Sequence, residues 1–166
     1  MLAGAALVLS ACGTTIEGRA VAEGIDTDGG EFQSLLEECN TVTPEQIADV
    51  VGGDAIDQGF IGAICRWDLT GPGGAVKVTF DWFETGSLAA EKDANERMGW
   101  TVTDVEVSSR KALEIRQPDD PASCGVAAQS PNSGVIGWWV QYRTGNPTDP
   151  CQAATKLMQL SVNLSA

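Results

Sequence analysis

Residues 75–84 have the sequence AVKVTFDWFE, in which apolar and polar side chains alternate along the chain. The two faces of such a strand carry Val76, Val78, Phe80 and Trp82 on one side and Lys77, Thr79, Asp81 and Phe83 on the other. A repeat of two residues with one apolar face is typical of an antiparallel sheet that packs one side on a core. This stretch therefore predicts a strand with one apolar face in a mostly antiparallel sheet.

Three helix starts are recognisable in the flanking sequence. Thr43 is suited to the N-cap of the first helix, because Pro44 follows at the first helical position and Gln46 completes a capping box. Ser87 is the expected N-cap of a second helix, and Asp149 that of the last. The sequence thus predicts three helices around the sheet.

Other segments have the apolar content and the turn residues of strands. They are residues 63–69, 101–107, 111–117, 124–129 and 135–143. Together with residues 75–84 they predict an α+β fold, in which a mostly antiparallel sheet of about six strands packs with three helices. We expect residues 32–166 to form one domain, since a chain of this length can bury an adequate core.

Four of the five cysteines lie in this domain, at Cys39, Cys65, Cys124 and Cys151. An even number of cysteines indicates disulfides if the domain is exported, as residues 1–12 described below suggest, and four cysteines allow three pairings. The separations of 26 and 27 residues favour the local pairs Cys39–Cys65 and Cys124–Cys151. A zinc site is disfavoured, because the chain has no histidine and no Cys-x-x-Cys pair. We expect no metal and no cofactor.

The fifth cysteine, Cys12, follows an uncharged apolar run at residues 1–11. This run is too short to span a bilayer and suits the remnant of a signal peptide. Residues 9–12, Leu-Ser-Ala-Cys, resemble the lipobox of bacterial lipoproteins, in which the thiol receives diacylglycerol and the signal is cut before the cysteine. The resemblance implies a lipid anchor at Cys12 on the extracytoplasmic face of the cell membrane. Because no Lys or Arg precedes the run, we expect that the true start lies upstream or that the chain was trimmed.

Residues 12–31 are rich in Gly, Thr, Asp and Glu, which predicts a flexible tether between the lipid and the domain. The whole chain has a formal net charge of −13. Affinity for nucleic acid needs clustered Lys and Arg, so nucleic acid is not an expected partner. We expect a monomer whose partners are the membrane, through the lipid, and an envelope protein or a small apolar ligand.

Trp138 and Trp139 are adjacent in a predicted strand and must point to opposite faces. Ile136, Val140 and Tyr142 share the face of Trp138, which we assign to the core. Trp139 is then a candidate binding residue on the second face of this strand. Phe83, in the strand at residues 75–84, is a second candidate for the same binding face. The alternative, which we favour, is that a helix covers this second face too, because Trp side chains are usually well buried.

Enzymatic activity is not expected. Without histidine the chain cannot form a Ser-His or Cys-His pair, and it contains no Ser-x-x-Lys sequence. A hydrolase that uses paired carboxylates is the remaining catalytic alternative, since 23 acidic residues are present. A structural surface protein without a specific ligand is the third hypothesis.

Several motifs resemble an actinobacterial, mycobacterial-type lipoprotein family of uncharacterised function. They are Cys39, Thr43-Pro44-Glu45, Cys65-Arg66-Trp67, residues 80–87, Cys124 and Pro150-Cys151. The resemblance covers roughly residues 39–160 and transfers no catalytic residue. It implies a lipid-anchored envelope protein with a sandwich similar to the PsbP/Mog1 fold, acting as a binding or accessory protein.

Overall fold

The computed structural model describes residues 39–61, 64–131, 133–143, 146 and 148–164. The predictions for the signal remnant at 1–11, for Cys12 and for the tether at 12–31 lie outside these residues. The helices are α1 (Pro44–Val51), α2 (Leu88–Arg97) and α3 (Pro150–Leu164). The strands are β1 (Asp54–Ile61), β2 (Ile64–Gly71), β3 (Gly74–Phe83), β4 (Thr101–Val107), β5 (Arg110–Arg116), β6 (Ser123–Gln129) and β7 (Val135–Tyr142).

All seven strands form one antiparallel sheet in the order β1-β2-β3-β7-β6-β5-β4. It consists of two meanders, β1-β2-β3 and β4-β5-β6-β7, which meet where β3 pairs with β7. The predicted α+β class is confirmed. The additional strand is β1, whose sequence DAIDQGFI lacks clean alternation and whose register with β2 shifts between Ala55 and Asp57.

Helices α1 and α3 cover one face of the sheet, which we call the inner face. The largest side chains in this core have less than 2% of their surface exposed and include Trp67, Trp138, Ile47, Leu157 and Met158. The alternation of residues 75–84 therefore points its apolar side at this core, as predicted. Burial of such side chains is the main stabilising contribution to the fold.

The helix starts follow the predicted capping chemistry. Thr43 and Gln46 form the reciprocal capping box, and Gly52 ends α1 with a φ of 73° that favours glycine. The hydroxyl of Ser87 accepts a hydrogen bond from the backbone N–H of Ala90, 3.2 Å away. The carboxylate of Asp149 likewise accepts one from the backbone N–H of Cys151, the second residue of α3.

Both local disulfides are present, Cys39–Cys65 and Cys124–Cys151, with Cα–Cα distances of 5.7 and 5.0 Å. The first ties the segment before α1 to β2, and the second ties β6 to the first turn of α3. Glu114 lies close to the sulfur atoms of the second pair. Because those two sulfur atoms are bonded to each other, neither is a thiolate, and the group lacks the thiolate ligands that a metal would need.

Within the described part of the chain, none of the helices combines the length and the apolar character that crossing a membrane requires.

Candidate functional site

Helix α2 packs on the opposite, outer face of the sheet, where it contacts β4, β5 and β6. Beneath it lies a second and smaller apolar cluster, whose buried members are Leu113, Ile115, Ala127 and Val135. Leu88 from α2 and Trp100 from the turn after it pack against this cluster. The outer face is therefore covered by a helix over one half of the sheet, and the candidate site must be sought around that helix.

Trp139 belongs to this outer cluster and is half-buried. Its ring lies over Gly125 of β6, where an added Cβ would overlap the indole. The ring of Trp100 meets it edge-on, with centroids 5.5 Å apart and an interplanar angle of 73°. Trp139 is thus anchored by contacts from β6 and from the end of α2, as expected if a helix covers this face.

Phe83 lies on the same face as Trp139 but is 48% exposed. It pairs with Val135 across the β3–β7 ladder, whereas Trp139 pairs with Thr79. Positions 135 and 139 are about 13 Å apart along the strand at the usual rise per residue. The structure therefore places both members of the predicted binding face on one side of the sheet without bringing them to one point.

A groove of about 670 Å³ runs between α2 and the β4–β5 hairpin. Its lining residues are Leu88, Ala89 and Lys92 from α2, Asp104, Val105 and Glu106 from β4, and Lys111, Ala112 and Leu113 from β5. Five of these nine residues are apolar, and of these Leu88, Ala89 and Leu113 belong to the outer face, whereas Val105 and Ala112 pack with the inner core. The volume falls within the range of small-molecule sites, about 300 to 1,000 Å³. Leu88 and Leu113 belong both to the groove and to the cluster that contains Trp139.

An ion pair crosses the groove from α2 to β4, with Lys92 Nζ 2.5 Å from Asp104 Oδ2. The hydrogen bond to Asp104 is the main reason why the pKa of Lys92 is raised. The other two charged groups of the lining, Glu106 and Lys111, are cross-strand partners of opposite sign. The groove therefore combines apolar walls with charges that balance each other.

Two acids outside the groove influence each other electrostatically, Asp81 on β3 and Glu91 on α2. The carboxylate of Asp81 lies against Gly137, where an added Cβ would come within 2.7 Å of its Oδ1. Burial, and secondly the charge of Glu91, raise the pKa of Asp81 to about 6. Glu91 accepts a hydrogen bond from Asn95 Nδ2, which is buried between helix and sheet. Asp81 can therefore take up or release a proton near pH 6.

Sequence reasoning placed Asp81 on the polar face of its strand but did not single it out. The available signal was the glycine at position 137, next to the two tryptophans in the β7 sequence. A glycine inside a strand often marks the close approach of another group. Its partner could not be named until the register of β3 and β7 was known.

No curated protein matches this chain, and no solved structure matches it either. The resemblance to the PsbP/Mog1 fold accordingly remains an expectation from sequence. A family model described as "Protein of unknown function (DUF3558)" matches residues 7–164, which include Cys12 and the four paired cysteines. That span takes in nearly all of the 166 residues. The chain therefore belongs to the DUF3558 family of proteins of unknown function.

Proposed function

We propose that this protein is a lipid-anchored binding protein of the cell envelope, which holds an apolar envelope molecule in the groove between α2 and the β4–β5 hairpin. The observation that carries the proposal is the groove itself, with its size and its apolar lining. The lipobox-like sequence before Cys12 supports an anchor on the extracytoplasmic face of the membrane. An anchored domain would meet its ligand at the membrane surface.

The chemistry of the groove favours retention of an apolar molecule. Leu88, Ala89 and Leu113 supply apolar surface on both sides of the space. Transfer of apolar surface from water contributes about 25 cal/mol for each Å² that becomes buried. The Lys92–Asp104 ion pair that crosses the groove is already satisfied, so a ligand would not need to neutralise either charge.

The same arrangement favours binding over catalysis. A carboxylate hydrolase needs two acids on either side of the bond that it cleaves. Ala89 and Lys92 of α2 line the groove, whereas Glu91 of the same helix does not, and Asp81 lies on β3, three positions from β5 in the sheet. A ligand in the groove would therefore not lie between these two acids.

Filling the groove tests the proposal. Ala89 is an exposed residue of α2 that lines the groove, so Ala89→Trp would occupy the space without removing a core side chain. We expect the Kd for an apolar fluorescent probe such as N-phenylnaphthylamine to rise by about tenfold or more, equivalent to about 1.4 kcal/mol. The measurement uses the full chain with Cys12→Ser, so that no attached lipid competes.

The matched control is Ala90→Trp, which adds the same ring at the next exposed position of α2, outside the groove lining. Its Kd should stay within about twofold of the parent value, since no groove contact changes. Equal weakening by both substitutions would indicate a general effect on α2 and not occupancy of the groove. Unchanged binding in Ala89→Trp would contradict the proposed site.

A further inference from the structure

We infer that the outer face of the sheet carries a second ligand site, where β3 begins and β7 ends, for an acidic sugar, that is, a hydroxylated ring with one carboxylate or phosphate group. The site is a polar pocket of about 270 Å³, a volume that suits a single sugar unit. None of its described lining residues lines the groove beside α2. The two sites are therefore distinct, and the second does not depend on the proposed function.

The register of the sheet places polar side chains of the pocket side by side. Asp68 of β2 is opposite Lys77 of β3, which is opposite Gln141 of β7, and all three are half-buried. Arg143 continues the ladder, because its backbone N–H donates to the carbonyl of Ala75 at 3.0 Å. It is thus the diagonal neighbour of Lys77, with their Cβ atoms about 7 to 8 Å apart. Both long side chains can therefore reach one small anion.

Asp120 adds an acid to the pocket from the turn before β6. Its backbone carbonyl accepts a hydrogen bond from the N–H of Ser123 at 3.1 Å. The carbonyl of Ala122 accepts another from the N–H of Tyr142 at 2.9 Å, which ties the turn to the end of β7. The carboxylate of Asp120 therefore has a defined position on the wall of the pocket.

Most of the polar groups in the pocket are free to bind a ligand. Arg66 holds the carboxylate of Asp68, with Nε 2.8 Å from Oδ2 and a hydrogen bond of 2.9 Å from Nη2 to Oδ1. Four other lining side chains make no hydrogen bond or ion pair with the residues that the structure describes, namely Lys77, Asp120, Gln141 and Arg143. Three of these four are half-buried, where charges are screened less than in open water.

A buried hydroxyl extends the polar row to β6. Ser123 is opposite Gln141 in the β6–β7 ladder and is 1% exposed. Its Oγ makes no hydrogen bond within the described part of the chain, which is unfavourable for a buried polar group. Because an amide both donates and accepts, Gln141 can bond to this hydroxyl and to a ligand at once.

The charges of the pocket decide which ligand fits. Arg66 neutralises Asp68, which leaves Lys77 and Arg143 against Asp120, an excess of one positive charge. A single carboxylate or phosphate group would meet both cations. A bare ion would also face the carboxylate of Asp120, whereas the hydroxyl groups of a sugar donate hydrogen bonds to it. The pocket therefore favours a sugar with one anionic group over the ion alone.

The acidity of the chain does not exclude an anionic ligand. The net charge is −13, but at physiological ionic strength charges more than about 8 Å apart are largely screened. Three of the ten Lys and Arg residues of the sequence are Arg66, Lys77 and Arg143. Contacts within the pocket therefore outweigh the long-range repulsion, and affinity should fall as salt is raised.

The test is an NMR titration of the full chain, labelled with ¹⁵N and carrying Cys12→Ser so that it remains in solution. Glucuronate and glucose 6-phosphate are the acidic sugars, and glucose and inorganic phosphate each supply one half of the ligand. We expect the better acidic sugar to bind with a Kd of about 1 mM and to shift the amide signals of residues 75–79, 120–123 and 139–143. Which of the two binds more tightly identifies the anionic group as carboxylate or phosphate. Glucose and inorganic phosphate should bind about tenfold more weakly.

Lys77→Gln and Arg143→Gln should each raise the Kd of the better sugar by about tenfold, because each removes one of the two cations. Arg143 is exposed, so its replacement should leave the fold unchanged. The matched control is Lys156→Gln, which removes a cation from the exposed surface of α3 and should change the Kd by less than about twofold. Asp120→Asn should reduce the preference for the sugar over inorganic phosphate, since phosphate alone then escapes the repulsion.

Three results would overturn the site. The first is the absence of amide shifts in these segments with both acidic sugars. The second is inorganic phosphate binding as tightly as the better sugar, which would leave an ion site without recognition of the ring. The third is a loss of affinity in Lys156→Gln equal to that in Arg143→Gln, which would show a general effect of charge.

Discussion

Gly125 and Gly137 shape the outer face because they have no side chain. A Cβ on Gly125 would overlap the ring of Trp139, and a Cβ on Gly137 would crowd the carboxylate of Asp81. Both glycines lie in central strands, where glycine is normally disfavoured because it has no side chain to pack. Two larger residues from neighbouring strands use the space instead, and these two are the most distinctive features near the candidate site.

Replacement of the two adjacent tryptophans by alanine should lower the free energy of unfolding by different amounts. Trp138 is 1% exposed, stacks on Trp67 at 5.6 Å and donates a hydrogen bond to Ser161 Oγ at 2.8 Å. We expect Trp138→Ala to lower the free energy of unfolding by about 3 to 5 kcal/mol. Trp139 is only half-buried, so Trp139→Ala should cost less, about 2 kcal/mol. Chemical denaturation at a fixed pH measures both values.

Phe83→Ala provides the comparison for an aromatic residue on the same face that is largely exposed. It should change the free energy of unfolding by less than about 1 kcal/mol. If Trp139→Ala were as mild as Phe83→Ala, the packing against Trp100 and Gly125 would be of little consequence. The outer face around Trp139 would then be a surface available to a partner.

At the scale of elements, much of the fold could be predicted because local chemistry specifies it. Thr43 and Gln46 predict the start of α1, because they form a reciprocal capping box. The alternation in residues 75–84 predicts β3 and shows which of its side chains face the core. Strand β1 is not predicted by its own sequence, because that sequence does not alternate between apolar and polar residues. It forms by pairing with β2, in a register that shifts between Ala55 and Asp57. Contacts made by the partner override weak local propensity in such a strand.

The candidate site was less accessible from the sequence, for a related reason. Ala89 and Lys92 are ordinary surface residues of α2 until β4 and β5 are set opposite them. The effect of the Glu91 charge on the pKa of Asp81 likewise depends on where α2 crosses the sheet. A sequence pattern predicts which face of its own helix or strand a residue occupies. The groove depends on how α2, β4 and β5 are placed relative to one another, which the pattern does not predict.

The two disulfides should contribute almost equally to stability. They close loops with sequence separations of 26 and 27 residues. Cys39–Cys65 joins the segment before α1 to β2, and Cys124–Cys151 joins β6 to the first turn of α3. Chain entropy alone predicts about 3.5 kcal/mol for either loop. We expect Cys39→Ser/Cys65→Ser and Cys124→Ser/Cys151→Ser to lower the free energy of unfolding by similar amounts in urea titrations.

Unequal losses would show that native packing outweighs loop closure at one of the bridges. Peptide mapping without reductant provides a separate check on the connectivity itself. A peptide that joins Cys39 or Cys65 to Cys124 or Cys151 would contradict the pairing in the structure.

At the scale of the whole molecule, the proposed anchor decides where the groove can work. We expect Cys12→Ala to move the protein from the membrane fraction to the soluble or unprocessed fraction, because two acyl chains on Cys12 are needed for stable attachment. Cell fractionation with mass determination of the mature chain measures this. Cys124→Ser/Cys151→Ser, which leaves Cys12 in place, should still fractionate with membranes. An unchanged mature mass and membrane association in Cys12→Ala would refute the anchor.

The β3–β7 ladder has a consequence for how the molecule can be taken apart. Cys39–Cys65 lies within the half that ends at β3, and Cys124–Cys151 lies within the half that begins after it. A protease that cuts the connection at residues 84–87 would therefore leave two fragments without a disulfide between them. Hydrogen bonds of the ladder and the shared inner core would hold the nicked protein together. Under oxidising conditions each fragment would keep its own staple when separated, so the pair is suited to reassociation as a split protein without a new disulfide between the fragments.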